Sequence, residues 1–200
     1  MGLNNNNYSE IKRKLFHLLA LLYPVFYNTL PRSTVLIIAG ALVILDIIVE
    51  SMRFVFPVMN HTILKPFSGI YRDSEMNSIS TLLWTFTGAF LTMFIFTDTK
   101  VVTVALLYMV FGDSLAGLVG VWIGRTKLGR SKKSLEGSFS CFVVCLLVGL
   151  FFLDWRVAVL GALIATIVEL MPLPLNDNFW LPLISGFSLT FLKRLFMLPL

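Results

Sequence analysis

The sequence is short of charge. Only 14% of its 200 residues are Asp, Glu, Lys or Arg, against roughly 25% in ordinary soluble chains. Such a chain lacks the polar surface to face water all round. With 57% hydrophobic residues it is equally far from disorder, which needs low hydrophobicity and high charge. Cysteine is almost missing: Cys141 and Cys145 lie one helical turn apart in an apolar run, the pattern of lipid- or core-facing thiols and not of a disulfide framework or a metal pair. No GxxxxGK[ST] phosphate loop occurs, so any nucleotide site is of another kind. No internal repeat and no linker divides the chain, and residues 1–200 read as one membrane-embedded domain.

What the chain has instead is long apolar runs. A helix needs about 20 mostly apolar residues to cross the hydrocarbon. The candidates are Leu15–Leu30, Val35–Val49, Ser80–Phe96, Val101–Gly124, Ser138–Leu153, Val157–Met171 and Trp180–Leu192. These predict an all-α, polytopic membrane bundle of about seven transmembrane helices. Between the second and third, Met52–Asn77 mixes Phe54, Phe56, Ile63 and Phe67 with Arg53, Lys65 and Arg72, the composition of an interfacial amphipathic segment. The net charge of +5 matters through its sidedness. Seven passes put Lys12, Arg13, Lys14, Arg53, Lys65, Arg72, Arg125, Lys127, Arg130, Lys132 and Lys133 on one side, and only Arg32, Lys100, Arg156, Lys193 and Arg194 on the other. The excess of basic residues on cytoplasmic loops then predicts that the N-terminus and the loops at 51–79, 125–137 and 172–179 are cytoplasmic.

Acids inside apolar runs cost about 2.5–3.5 kcal/mol each at a helix centre and are functional candidates by default. Asp46, Glu50, Asp113 and Glu169 are such residues, and the topology tilts all of them toward the basic side. Intramembrane polar contacts, neutralised by protonation or by Arg53, are the plain alternative. Around Asp113 the residues Gly112, Ala116, Gly120 and Gly124 are small at every fourth position, a stripe that allows close helix approach. Packing accounts for that stripe but not for Asp113 beside Ser114, on a narrow face followed by Gly117 and Gly120. The next loop, Arg125 to Lys133, interleaves five basic residues with Gly, Ser and Thr, which suits a polyanion such as a nucleoside triphosphate. An ordinary loop touching lipid head groups would carry the same charge. Lys133-Ser134-x-Glu136-Gly137-Ser138 is more particular, since topology requires no Glu there. Further on, Pro172 and Pro174 stop a helix, and Asn176-Asp177-Asn178 offers oxygen ligands of the kind Mg²⁺ prefers, or, at Asp177 or Asn178, a cap for the next helix.

Three blocks of the sequence together resemble the integral-membrane lipid kinases that include dolichol kinase, phytol kinase and the CTP-dependent diacylglycerol kinase of fungi. The first is Glu10-x-x-Arg13-Lys14-x-x-His17 with Arg72-x-x-Glu75. The second is Gly112-Asp113-Ser114-x-Ala116-x-x-x-Gly120-x-x-x-Gly124-Arg125-x-Lys127, running into Lys132-Lys133-Ser134-x-Glu136-Gly137-Ser138. The third is Glu169 with Asn176-Asp177-Asn178-x-x-x-Pro182. Thr81 departs from the pattern, since glycine is expected there in many relatives.

The resemblance implies transfer of a phosphoryl group, often from CTP with Mg²⁺, to a lipid alcohol: a polyprenol, a phytol-like prenol or diacylglycerol. It implies Asp113, Glu169, Lys133 and His17 as catalytic residues, with Asp113 either holding the metal or accepting the hydroxyl proton. Asp113, Asp177 and Asn178 are the expected metal set. Arg13, Lys14, Ser114, Gly117, Gly120, Lys127, Lys132, Ser134, Glu136, Gly137 and Ser138 are expected at the nucleotide, and Asp46, Glu50 and Glu75 as lipid-site or structural acids. The expected partners are the lipid alcohol and the nucleotide, with a homo-oligomer allowed and nucleic acid excluded. A cytidylyltransferase forming a CDP-lipid would share the nucleotide and the setting, but its acidic, Gly-rich and basic signature is missing. A small transporter should place polar residues in both halves of the bilayer, whereas these gather toward one.

Overall fold

The computed structural model describes residues 5–56, 75, 78–127 and 133–196. Its regular structure is helical: α1 (Asn5–His17), a 3₁₀ turn (Leu18–Leu21), α2 (Leu22–Thr29), α3 (Arg32–Val55), α4 (Thr81–Ile95), α5 (Thr99–Leu107), a π-turn (Tyr108–Gly112), α6 (Asp113–Trp122), α7 (Leu135–Phe152), α8 (Trp155–Leu170) and α9 (Asp177–Leu195). The β-contact among the described residues is one isolated antiparallel bridge, Lys127 to Ser134.

Three helical stretches are long and apolar enough to cross a membrane: α3, the continuous rod α5–π–α6 (Thr99–Trp122), and α7. The first expected run is not one straight helix. Pro24 has no N–H to donate and its ring crowds the carbonyl one turn back, and the chain tightens into the 3₁₀ turn before α2 resumes. The second run extends further than its apolar core. Met52–Val55 continues α3 and so does not belong to the expected interfacial segment, of which residues 57–74, 76 and 77 lie outside the described ones.

Turn oxygens fix where the helices start. Ser80, Asp98, Ser134, Asp154 and Asn176 each accept a hydrogen bond from a backbone N–H in the first turn of the adjoining helix, satisfying donors that no intrahelical carbonyl reaches. Asp154 is also 2.9 Å from Arg156 Nε, and that guanidinium holds its carboxyl below the usual carboxylate range.

The rod α5–π–α6 is the axis of the bundle. Val101, Val102, Val104, Ala105, Leu106, Tyr108, Met109 and Val110 have no solvent exposure. One side of the rod packs with α7, α8 and α9 around Cys141, Cys145, Leu181 and Leu189. The other packs with α2, α3 and α4 around Tyr23, Val35, Ala39 and Met93. The outer faces stay apolar, as at Ile37 (72% exposed) and Phe151 (83%), which suits a hydrocarbon solvent with no polar groups to offer. Small residues set the closest approaches. A Cβ on Gly88 of α4 would lie 2.6 Å from the Asn178 carbonyl oxygen of α9, and one on Gly137 of α7 would lie 2.6 Å from the Ala116 carbonyl of α6.

Successive legs alternate in direction, so polar groups collect at two ends. At one end Lys193 pairs with Asp98, Asn28 donates to Thr103 (2.8 Å), and Arg32 donates to the Phe94 carbonyl (2.8 Å). The other end, about 36 Å away along the 24-residue rod, holds the C-termini of α1, α3, α6 and α8 and the N-termini of α4, α7 and α9.

Candidate functional site

The second end encloses a polar cavity of about 870 Å³. Arg13, Lys14 and His17 reach it from α1, Thr81 from α4, Asp113, Gly117 and Gly120 from α6, Lys133, Ser134, Gly137 and Ser138 from α7 and the residue before its cap, Glu169 from α8, and Asn176, Asp177 and Asn178 from the start of α9. Residues scattered over more than 160 positions of sequence become the walls of one space.

Local chemistry explains how each arrives. The π-turn immediately before Asp113 adds a residue to the helical repeat, which rotates α6 relative to its place on a plain α-helix. Asp113 thereby faces α1, where Lys14 Nζ donates to its Oδ2 at 2.5 Å. Both side chains are nearly dry, 5% and 11% exposed. Room for the lysine comes from Gly117, one turn on. A Cβ there would overlap Lys14 Cε and lie 3.5 Å from Glu10 Oε1. Glu10 in turn pairs with Arg13. His17 Nε2 lies 4.0 Å from Asp113 Oδ2 and 3.4 Å from the Met109 carbonyl, one of the carbonyls in the π-turn. Opposite them, Lys133 Nζ stands 3.3 Å from Glu169 Oε1 and 3.6 Å from Asp177 Oδ2. Leu175, at φ 70°, turns the chain through the left-handed region just before Asn176, whose Oδ1 caps α9 by accepting from Asn178 N (2.9 Å). Of the Asn-Asp-Asn triplet it is thus Asn176 that caps, leaving Asp177 and Asn178 on the cavity.

Two buried oxygens at this cavity have no hydrogen-bond partner: Glu169 Oε2 and Asn178 Oδ1. Buried polar atoms without partners are rare. Among the described residues no group of three or more His, Cys, Asp or Glu is clustered to hold a metal alone. A nucleotide-borne Mg²⁺ does not need such a cluster, since one or two carboxylates plus substrate phosphates usually hold it.

Several expected site residues stand elsewhere. Ser114 is buried with its Oγ unpartnered and lies off the cavity. Glu136 does not line it either. Its carboxylate accepts from Thr126 N (3.1 and 3.3 Å), and with Leu135 N donating to the Thr126 carbonyl (3.0 Å) it straps the two ends of the basic loop together. Lys132 lies outside the described residues. Glu50 pairs with Arg53, and Arg53 Nη2 donates to the Glu75 carbonyl (2.8 Å), tying α3 to the approach to α4. The stripe Gly112, Gly120 and Gly124 is a packing seam, where Cβ atoms would meet Cys145 Sγ and the side chain of Ser134, although Gly120 and Gly124 also line the cavity.

Thr81 takes part although no sequence motif assigns it a role. Its hydroxyl donates to Glu75 Oε1 (2.6 Å) and accepts from Asn176 Nδ2 (3.2 Å), joining α4, α9 and the segment before α4. Its departure from the pattern of the lipid kinases that the sequence resembles is the signal, but that signal points to packing.

Beside the polar cavity runs an apolar groove of about 400 Å³ between α1–α2 and α3–α4. Phe16, Leu19, Tyr23, Phe26, Ile38, Leu42 and Phe86 line it, with Asp46 and Glu75. Arg13, His17 and Thr81 line both spaces.

Compared with known proteins, the chain is 30% identical over 193 residues to an uncharacterized protein of Rickettsia prowazekii (strain Madrid E), covering 90% of this chain and 93% of that one. No family model matches it, and no solved structure does.

Proposed function

The chain belongs to the same family as that Rickettsia protein, and for this member of it we propose a membrane-embedded lipid kinase that moves the terminal phosphoryl group of a nucleoside triphosphate, CTP by resemblance, onto the hydroxyl of a lipid alcohol. The observation that carries the reading is the pair of adjoining spaces, one polar and one apolar, whose common wall is Arg13, His17 and Thr81. A phosphoryl transfer between a charged donor and a lipid acceptor needs that adjacency, because catalysis is mostly positioning and charge neutralisation.

In this reading the triphosphate lies in the polar cavity. Arg13, Lys14, Lys127 and Lys133 supply positive charge, and the N-termini of α4, α7 and α9 add backbone N–H groups aimed at an anion. Arg13, Lys14 and Lys133 are held before substrate arrives by Glu10, Asp113, Glu169 and Asp177. The unpartnered Glu169 Oε2 and Asn178 Oδ1, with Asp113 and Asp177, form an oxygen set that fits Mg²⁺ accompanying the nucleotide. Such an ion would spread the charge of the transferring group. The lipid tail lies in the apolar groove and brings its hydroxyl to the common wall. With His17 Nε2–H directed at the Met109 carbonyl, Nδ1 is the free lone pair of the neutral ring, and the hydroxyl proton passes to it. Asp113, 4.0 Å from the ring, stabilises the imidazolium. A bond forms between the lipid oxygen and the γ-phosphorus, the bond from that phosphorus to the β–γ bridging oxygen breaks, and the nucleoside diphosphate leaves.

The same reading takes α1–α2, α4, α8 and α9 as further membrane passes, giving seven in all, with the polar cavity on the cytoplasmic side where Arg13, Lys14, Arg53, Lys127 and Lys133 gather. Asp98 and Lys193, at the other end, line neither cavity, which favours a structural tie over a transport path.

The test is a radiolabelled transfer assay on purified protein, crossing CTP and ATP with a panel of lipid alcohols. The expected products are a lipid monophosphate and CDP. Formation of a CDP-lipid from added lipid phosphate, with pyrophosphate released from the CTP, would replace this reading with a cytidylyltransferase, and no transfer with any pair would end it.

A further inference from the structure

Two asparagines at the start of α9 meet two threonines one turn apart on α4. Asn176 Nδ2 donates to the Thr81 hydroxyl (3.2 Å), and Asn178 Nδ2 donates to the Thr85 hydroxyl (3.0 Å). Gly88, one turn beyond Thr85, permits the approach, because a Cβ there would lie 2.6 Å from the Asn178 carbonyl oxygen. Thr85 and Asn178 are 4% and 2% exposed, so a hydrogen bond lost between them would leave a buried donor unsatisfied.

A hydroxyl has one proton to donate. Thr81 donates its own to Glu75 Oε1 (2.6 Å), and Thr85 donates to the Thr81 carbonyl (2.9 Å). Toward the asparagines both threonines therefore present lone pairs, and each carboxamide turns its NH₂ to them. At Asn176 the result is the cap of α9: its Oδ1 faces the other way and accepts from Asn178 N (2.9 Å), a bond that only the oxygen can make. Asn178 follows the same rule, but its Oδ1 has no partner and its side chain lines the polar cavity. Reversing that amide would give the cavity a donor, which suits a phosphate. As it stands the cavity receives an acceptor, together with a second in the unpartnered Glu169 Oε2. Two buried acceptors repel phosphate oxygens and suit a hard cation.

We propose that Thr85 is a positioning residue: its hydroxyl oxygen fixes the Asn178 carboxamide with Oδ1 toward the polar cavity, as a ligand for a divalent cation. Thr85 belongs to the lining of the apolar groove, and no sequence motif includes it. The inference rests on the metal set of the kinase reading and adds the residue that decides its polarity.

The experiment measures Mn²⁺ binding by EPR to full-length protein in phosphatidylcholine nanodiscs, with and without a non-hydrolysable CTP analogue, against empty nanodiscs. Thr85→Val removes the lone pairs and lets the amide turn, and the Mn²⁺ dissociation constant should rise about tenfold or more, as for other groups that orient a metal ligand. Thr85→Ser keeps the oxygen and should restore binding close to the parent's. In an Asn178→Asp background both ends of the side chain are oxygen, so Thr85→Val should leave Mn²⁺ affinity nearly unchanged. An equal loss in both backgrounds would make Thr85 a packing residue and overturn the inference. So would a Thr85→Val protein that binds Mn²⁺ like the parent, or a parent that binds none in either arm. Phosphoryl transfer by the parent is scored separately. Transfer with Mn²⁺ binding indifferent to Thr85 keeps the kinase and removes this inference, whereas the expected Mn²⁺ pattern without transfer to any lipid alcohol keeps the inference and removes the kinase.

Discussion

Replacing Lys14 by Met removes one half of the ion pair at the centre of the site and leaves the shape of the side chain nearly intact. Breaking a buried pair from one side typically costs about 3–5 kcal/mol, because the surviving charge has no partner. Here Asp113 keeps His17 at 4.0 Å and borders an open cavity, so the lower end, about 3 kcal/mol, is the expected cost. For a chain of this size that corresponds to a fall in Tm of roughly 6–12 °C, readable by tryptophan fluorescence in detergent. Asp113→Leu alone strands Lys14 and should cost a comparable amount. The double variant strands neither charge and should recover most of the lost stability, giving a coupling on the order of 2–3 kcal/mol. Phosphoryl transfer should separate from stability: in the proposed kinase the double variant stays inactive, because there the pair would serve the substrate as well as the fold. A Tm for Lys14→Met within 1 °C of the parent, or a double variant no more stable than either single one, would refute the argument that these two charges depend on each other.

Other variants probe the frame. Gly88→Ala forces a methyl against the Asn178 and Phe179 backbone and should destabilise by about 1–3 kcal/mol, with an unchanged melting curve showing that α4 and α9 are not so close. Gly117→Ala crowds Lys14, a flexible side chain that can move, so Tm should shift by only a few degrees while nucleotide KM rises. A fall in Tm as large as for Gly88→Ala would show that the contact is rigid. Glu136→Ala releases the Thr126 N–H and should raise nucleotide KM severalfold while leaving lipid KM alone, and equal effects on both would count against its role as a strap. Asp154, held below its ordinary pKa by Arg156, contributes its cap above the ordinary carboxylate range and loses it as pH falls through the depressed value. Hydrogen exchange at the start of α8 should therefore quicken at that acid limb, and Asp154→Asn should flatten the dependence.

Much of this site is legible before any fold is drawn, for a physical reason. An acid in an apolar run must have a partner or a purpose, so Asp113 and Glu169 stand out, and the side on which the cations lie tells which partners they meet. Ser134 and Ser138 are legible because a helix start bears recognisable residues. Glu136 misleads: its neighbours Ser134 and Gly137 face the cavity, but it lies on another side of the same first turn, a matter of about 100° per residue that a linear motif conceals. Thr81 is easily misjudged because its contacts come from α9, nearly a hundred residues away, and no local pattern encodes a meeting at that distance. The apolar groove is invisible for the same reason. Its walls are ordinary aliphatic and aromatic residues, and only the splay between α2 and α3 makes them a lining.

The π-turn at Tyr108–Gly112 also sets how tolerant the protein is to changes in length. A residue added to one helical turn advances everything after it by about 100° around the axis. Inserting one further residue after the π-turn, with no second π-turn to absorb it, would leave a helix that is still apolar, still long enough to span a membrane and still compatible with its neighbours in composition. Asp113 would then point away from Lys14, and the Gly117 notch would face a side chain that does not need it. Polarity and hydropathy would register almost no change, yet the walls of the polar cavity would no longer meet. The rod therefore acts as an indexing device: its composition fixes it in the bundle, and one supernumerary residue sets the angle at which its chemistry is presented.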